Sequence, residues 1–275
     1  MAPHILNGDD MDTGEVSVAL LGPLTVAHRG KSYGVGPNRA RALLAVLALS
    51  AGEVVSIDFL IDELLTDRPW KNPKNALQAG VHRLRDALER ITGTTGTLMV
   101  RTSANGYLLD VPPARVDAHR FDTLAAQGAA LLPHAPDEAV AVLEEALALW
   151  RGDALLDVLG GLRCQNQMSR LASQRLSTLE DLYEAKLVSG GYRVLNGLEQ
   201  LALEHPERER LTELLMVALY RSGRQQEALA TFQRVRSWLQ DELGVEPGRK
   251  LRSLQRAILT QDVAIDARLP QASRS

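Results

Sequence analysis

The hydrophobic pattern changes its period once, near residue 112, and that change decides what the chain can fold into. From Val16 to Val111, short runs with strand character alternate with helical stretches. From Asp117 to about Gln261 only helical periodicity remains. A length of 275 residues accommodates two domains of ordinary size. The expected divisions are a disordered acidic tail at 1–15, a mixed domain at 16–112, an all-helical domain at 113–262 and a flexible tail at 263–275. Aromatic residues make up only 4% of the chain, so Leu, Ala and Val must build the core, which suits close-packed helices better than a β-sandwich.

Several classes fall away. No apolar run reaches the ~18 residues of a membrane span. Residues 1–15 hold four acids, no base and no apolar stretch, unlike a secretory signal. The single cysteine, Cys164, excludes an internal disulfide framework and reads as a small buried hydrophobe. A cytoplasmic protein is expected. There is no phosphate loop, dinucleotide fingerprint or nucleophile elbow, and the six histidines share no ligand spacing. Neither a metal, a cofactor nor an enzyme is therefore expected. The net charge is −3, yet residues 16–111 carry 11 basic against 8 acidic side chains.

Within the mixed block, Val16–Leu21, Leu24–Ala27 and Lys31–Val35 read as strands separated by Gly22-Pro23 and Gly30. Pro37 opens a helix to Leu49, and Ser56 stands as N-cap for a second helix from Ile57 to Leu65. Asp67 to Pro73 is a loop. A third helix runs from about Lys74 to Arg90. Leu98–Arg101 and Tyr107–Val111 then flank Asn105-Gly106, the signal for a hairpin.

The third helix carries the chemistry. At 100° per residue Leu77, Val81, Leu84 and Leu88 form a core-facing stripe. Asn75, Ala79, His82 and Asp86 lie opposite, flanked by Gln78 and Arg83, with Lys71, Lys74 and Arg85 near the edges. In a major groove Asn or Gln pairs with adenine, Arg with guanine, and an Ala methyl meets thymine. The edge cations neutralise phosphates. A solvated helix face looks similar in isolation, but before a Gly-tipped hairpin the pattern becomes a winged helix-turn-helix.

The helical block holds a loose repeat. Val194, Leu198 and Leu201 precede Ala228, Phe232 and Val235 by 34 residues, and Ala139, Leu143 and Ala146 share the small-large-small spacing without the period. A 34-residue helical hairpin is the tetratricopeptide period. The expected fold class is thus an α+β winged helix-turn-helix followed by an all-α tetratricopeptide-like domain.

Arg41–Ser56, Asn75–Glu89 and Asn105–Leu109 resemble an OmpR-type winged helix. Val116–Phe121, Ala146–Gly152, His205–Leu211, Ala218–Leu229 and Leu243–Pro247 resemble the bacterial transcriptional activation domain. In that order they are similar to the Streptomyces antibiotic regulatory proteins, activators of secondary metabolism. The departures are a Trp at position 70 rather than near Leu65, His82 where Ser is usual, Asp86 where Arg is frequent, and a longer wing.

The resemblance implies base contacts from Asn75, Gln78, Ala79, His82 and Arg83. It implies phosphate or wing contacts from Arg41, Lys71, Lys74, Arg85, Arg101, Thr102, Asn105 and Tyr107. It also implies two protomers side by side on direct repeats in double-stranded DNA, and RNA polymerase with its sigma factor recruited through Asp67, Arg68 and Trp70. Trp70 either meets that partner or packs back on its own helices. The alternative function is a helical-repeat adaptor whose winged helix binds protein.

Overall fold

The computed structural model describes residues 16–64, 71–158, 161–190 and 194–262. The expected tails at 1–15 and 263–275 lie outside them. Three short strands, β1 (Ser17–Ala19), β2 (Thr25–His28) and β3 (Lys31–Gly34), form an antiparallel sheet in chain order. Val18 pairs with Val26 and both are buried, so alternation supplies one apolar face. Helix α1 (Asn38–Leu49) buries every residue from Ala42 to Ala48. The two-residue strand β4 (Val55–Ser56) leads into α2 (Ile57–Leu64), where the Ser56 hydroxyl accepts the Phe59 N–H at 3.3 Å as an N-cap.

Helix α3 (Pro73–Thr92) packs against α1 and α2 through Leu77, Val81, Leu84 and Leu88, the stripe expected from periodicity. It is followed by a one-turn helix, α4 (Gly96–Met99), and the hairpin β5 (Val100–Ser103) and β6 (Gly106–Leu109). Strand β6 lies between β4 and β5, giving the winged helix its second sheet. Leu98 and Met99 were expected in a strand and instead belong to α4. The reason is close packing on α3: a Cβ on Gly96 would overlap the Arg85 carbonyl oxygen, so only glycine lets the turn sit there. Gly106 meets a similar constraint, since a Cβ there would overlap the Val55 carbonyl oxygen across the β4–β6 pair.

After a 3₁₀ turn at Pro113–Arg115 the chain is helical: α5 (Asp117–Leu131), α6 (Pro136–Ala148), α7 (Leu162–Val188), α8 (Leu195–Glu204), α9 (Glu209–Arg221), α10 (Gln225–Trp238) and α11 (Arg249–Leu259). The small-large-small positions are core positions. Ala139, Leu143, Ala146, Val194, Leu198, Ala228, Phe232 and Val235 are buried, while Leu201 is half-buried. A five-residue π-helical turn, Leu239–Leu243, extends α10 before Gly244 ends it with a left-handed backbone.

The compact units do not divide at residue 112. One comprises the described parts of Met1–Leu124 together with Ala146–Arg175; the other comprises Ala125–Glu145 and the described parts of Leu176–Ser275. Long-range polar interactions are responsible. Asp117 accepts the N–H groups of Leu20 and Leu21, Asp157 accepts that of Leu24, and Arg151 and Leu155 donate their N–H groups to the carbonyls of Leu21 and Leu20. His119 Nε2 donates to the Ala48 carbonyl at the end of α1, 3.1 Å away. The connection between β1 and β2 therefore has much of its backbone satisfied by residues beyond 112.

Candidate nucleic-acid interface

The start of α3 is fixed by Asn72, whose side-chain oxygen accepts the Asn75 N–H at 3.1 Å, and by Pro73 in the first helical position. Its end is fixed by Gly93, left-handed at φ 71°, whose N–H reaches the Glu89 carbonyl. Between these caps the helix is amphipathic. Asn75, Gln78, Ala79, His82, Arg83 and Asp86 are all exposed, and the apolar stripe is buried behind them. The five expected base-contact residues are thus together on one outward face. His82 approaches Asp86 at 3.6 Å along the helix, with three quarters of its side chain exposed.

The cations at the rim differ among themselves. Lys71 and Lys74 are exposed at the N-terminal end of α3. Arg85, expected to clamp a phosphate, is engaged within the protein. Its Nε and Nη2 donate to the Val100 carbonyl at 3.0 and 2.7 Å, and Nη2 also donates to the Thr102 hydroxyl at 2.8 Å. Its guanidinium carbon lies 5.9 Å from the Tyr107 ring centre. Arg85 therefore bolts the wing to α3 (a forked, charge-assisted contact), and Thr102 serves as its acceptor.

Tyr107 is buried in β6, which corrects its expected place among the DNA contacts: little of its side chain reaches the surface. Arg101 is exposed on the wing and holds Asp110 at 2.5 Å. Asn105 is exposed at the hairpin tip, while its carbonyl accepts the Ile57 N–H. Arg41 is only partly exposed, bonds to Asn38 and pairs with Asp157 at 3.5 Å, so its charge is spent inside the domain. Asp67, Arg68 and Trp70 lie outside the described residues. Sequence reasoning missed Asn72 and Asp110. Asn-Pro ahead of an apolar-periodic run is a helix-start signature and would have found the first.

Comparison with known proteins adds to this geometry. Residues 36–109 match the family model "Transcriptional regulatory protein, C terminal", and residues 116–259 match "Bacterial transcriptional activator domain". The transcriptional regulator RedD of Streptomyces coelicolor is 43% identical over 251 residues, covering 90% of this chain and 72% of that protein. The regulatory protein DnrI of Streptomyces peucetius is 37% identical over 262 residues, covering 93% and 96%. The chain belongs to the Streptomyces antibiotic regulatory protein family.

The family's architecture also appears in a solved structure, Mycobacterium tuberculosis EmbR in complex with a low-affinity phosphopeptide. It superposes with a TM-score of 0.84 at 30% identity over 92% of this chain and 68% of that one. As a member of the family the protein is a transcriptional regulator that combines an OmpR-type DNA-binding module with an activator domain. Among the described residues no helix is long and apolar enough to cross a membrane.

Proposed function

We propose that this protein is a cytoplasmic, nucleoid-associated activator that switches on a secondary-metabolite (antibiotic) gene cluster by binding a specific DNA sequence. Two protomers lie side by side on direct repeats upstream of a promoter and recruit RNA polymerase, including its sigma factor, through residues 66–72 and nearby surfaces. The observation that carries the reading is the outward face of α3, where Asn75, Gln78, Ala79, His82 and Arg83 stand free of the core. Amide and guanidinium groups on a braced helix match the hydrogen-bonding edges of bases in a major groove. Lys71, Lys74 and Arg101 supply phosphate contacts that set register without reading sequence.

Footprinting of the purified protein on DNA upstream of its neighbouring genes tests the proposal. Two protected half-sites in the same orientation, about one helical turn apart centre to centre, are expected. Protection of an inverted pair, or none at any concentration that retards random duplex, would overturn it.

A further inference from the structure

The last described helix carries charge that the fold does not use. The eleven residues of α11, Arg249–Leu259, include four bases and no acid. The two sequence ranges of its compact unit, 125–145 and 176–262, are acidic overall, with 17 acids against 12 bases. A third of those bases thus sit on one short helix. Leu251 and Ile258 are buried in the core with Leu211, Leu215, Phe232 and Leu239, so the opposite side of α11 faces water. On that side Arg249, Arg252 and Arg256 are exposed, at the i, i+3, i+7 spacing that confines them to a stripe about 60° wide. Lys250 is set apart from them, close enough to Glu213 to act on its carboxyl.

Most other described surface arginines of this unit are matched, the exposed Arg234 on α10 being an exception. Arg208 and Arg210 hold Glu180, Asp181 and Glu184; Arg224 holds Glu227; Arg236 holds Glu246. Among the described residues, no ion pair or side-chain hydrogen bond engages the guanidiniums of Arg249, Arg252 or Arg256. Three like charges within about 10 Å of helix repel one another unless a polyanion faces them.

We infer that α11 is a second DNA contact, in which Arg249, Arg252 and Arg256 bind the phosphate backbone without regard to sequence. The inference rests on the protein's binding DNA through α3. Charge and composition favour a phosphate wall over an acidic protein segment. Arg249, Ser253, Arg256 and Thr260 form the centre of the outward face, and the exposed Leu259 stands at its edge. Protein docking faces are built round a central apolar or aromatic anchor, which this face lacks. A duplex presents one negative charge per ~1.7 Å of axis, so a stripe this long meets enough phosphates to engage all three guanidiniums. Arginine also matches phosphate oxygens with a planar fork that lysine does not have.

The test uses the full chain and a 40-base-pair duplex that contains its footprinted site, with a scrambled duplex beside it. Affinity is measured against salt for the native protein, for Arg249→Gln/Arg252→Gln/Arg256→Gln, and for Arg252→Gln alone. Removing one phosphate-neutralising cation lowers the slope of log K against log salt by about 0.9. The triple variant should lose roughly 2–3 from that slope on both duplexes, and the single variant about 1. Preference for the site over the scrambled duplex should be kept.

An unchanged slope in the triple variant, with circular dichroism and melting also unchanged, overturns the inference. So does an unchanged slope with lost transcription, which would give the stripe to an acidic protein partner. If the triple variant melts early, Arg252→Gln decides by the same slope. Native protein that binds neither duplex would instead overturn the reading of α3.

Discussion

The carboxylate of Asp117 accepts the backbone N–H of Leu20 at 2.6 Å, joining the first turn of α5 to the end of β1 across 97 residues. Its second oxygen takes the N–H of Leu21 at 3.0 Å, and Arg151 stands 3.7 Å away. A fragment ending at residue 112 would leave both N–H groups without this partner, along with that of Leu24, now held by Asp157. Each hydrogen bond to a charged acceptor is worth about 1.5–3 kcal/mol, and truncation exposes these N–H groups to water in its place. Fragment 16–112 should therefore melt well below fragment 16–175, by 10 °C or more on the ~4–8 °C per kcal/mol typical of domains this size. Equal melting temperatures would show that residues 113–175 add nothing to the DNA-binding unit.

The second prediction concerns the brace between helix and wing. Arg85→Ala removes two hydrogen bonds to Val100 and one to Thr102. A loss of about 1–3 kcal/mol in urea unfolding is expected. Arg85→Lys should recover little, because an ammonium on a flexible stem cannot reproduce the fork. Full recovery by lysine would reduce the role of Arg85 to charge alone.

A third follows from Arg101 and Asp110, whose ion pair is roughly half exposed on both sides. Such pairs are worth at most about 1 kcal/mol, so a phosphate can displace Asp110. Arg101→Ala should weaken binding to every duplex alike, and Asp110→Asn should strengthen it several-fold at low salt. Weaker binding by Asp110→Asn would mean that the pair positions the wing instead of masking its charge.

Glu213 gives a pH dependence. It is buried on α9, and burial pushes its carboxyl up from about 4.5 to about 7. Lys250 and Arg210 oppose this rise, while Glu209 and Glu184 reinforce it. Because the folded value is the higher, the folded state binds the proton more tightly. The contribution to stability is complete below pH ~4.5 and is lost as pH rises through about 7. Glu213→Gln should raise the melting temperature at pH 8 relative to the native chain, and that gain should fade towards pH 5. An equal gain at both values would trace the effect to packing.

Much of this was legible in the sequence because periodicity reports burial directly. The stripe Leu77, Val81, Leu84 and Leu88 emerged as expected, as did Ser56 as a cap and Cys164 as a buried residue. What was not legible depended on partners distant in the chain. Arg85 looks like a free rim cation until Val100 is folded against it. Arg41 looks free until Asp157 arrives from 116 residues away. Tyr107 alternates with its neighbours as wing residues do, but Arg85 of α3 lies over its ring and the side chain is buried. The hydrogen bonds that Asp117, Arg151 and Asp157 make with residues 20–24 reach across the expected boundary at 112, and no local pattern announces them.

The most direct measurement compares Arg83→Ala with the native protein on the footprinted site and on scrambled duplex at one salt concentration. Arg83 is exposed on the outward face of α3, and a bidentate contact to guanine is worth about 1–3 kcal/mol of discrimination. The predicted result is a fall of roughly 5- to 150-fold in affinity for the site, with only a small loss on scrambled DNA. Equal losses on both would contradict the account, because they would make Arg83 a phosphate contact and leave sequence reading by this face without support.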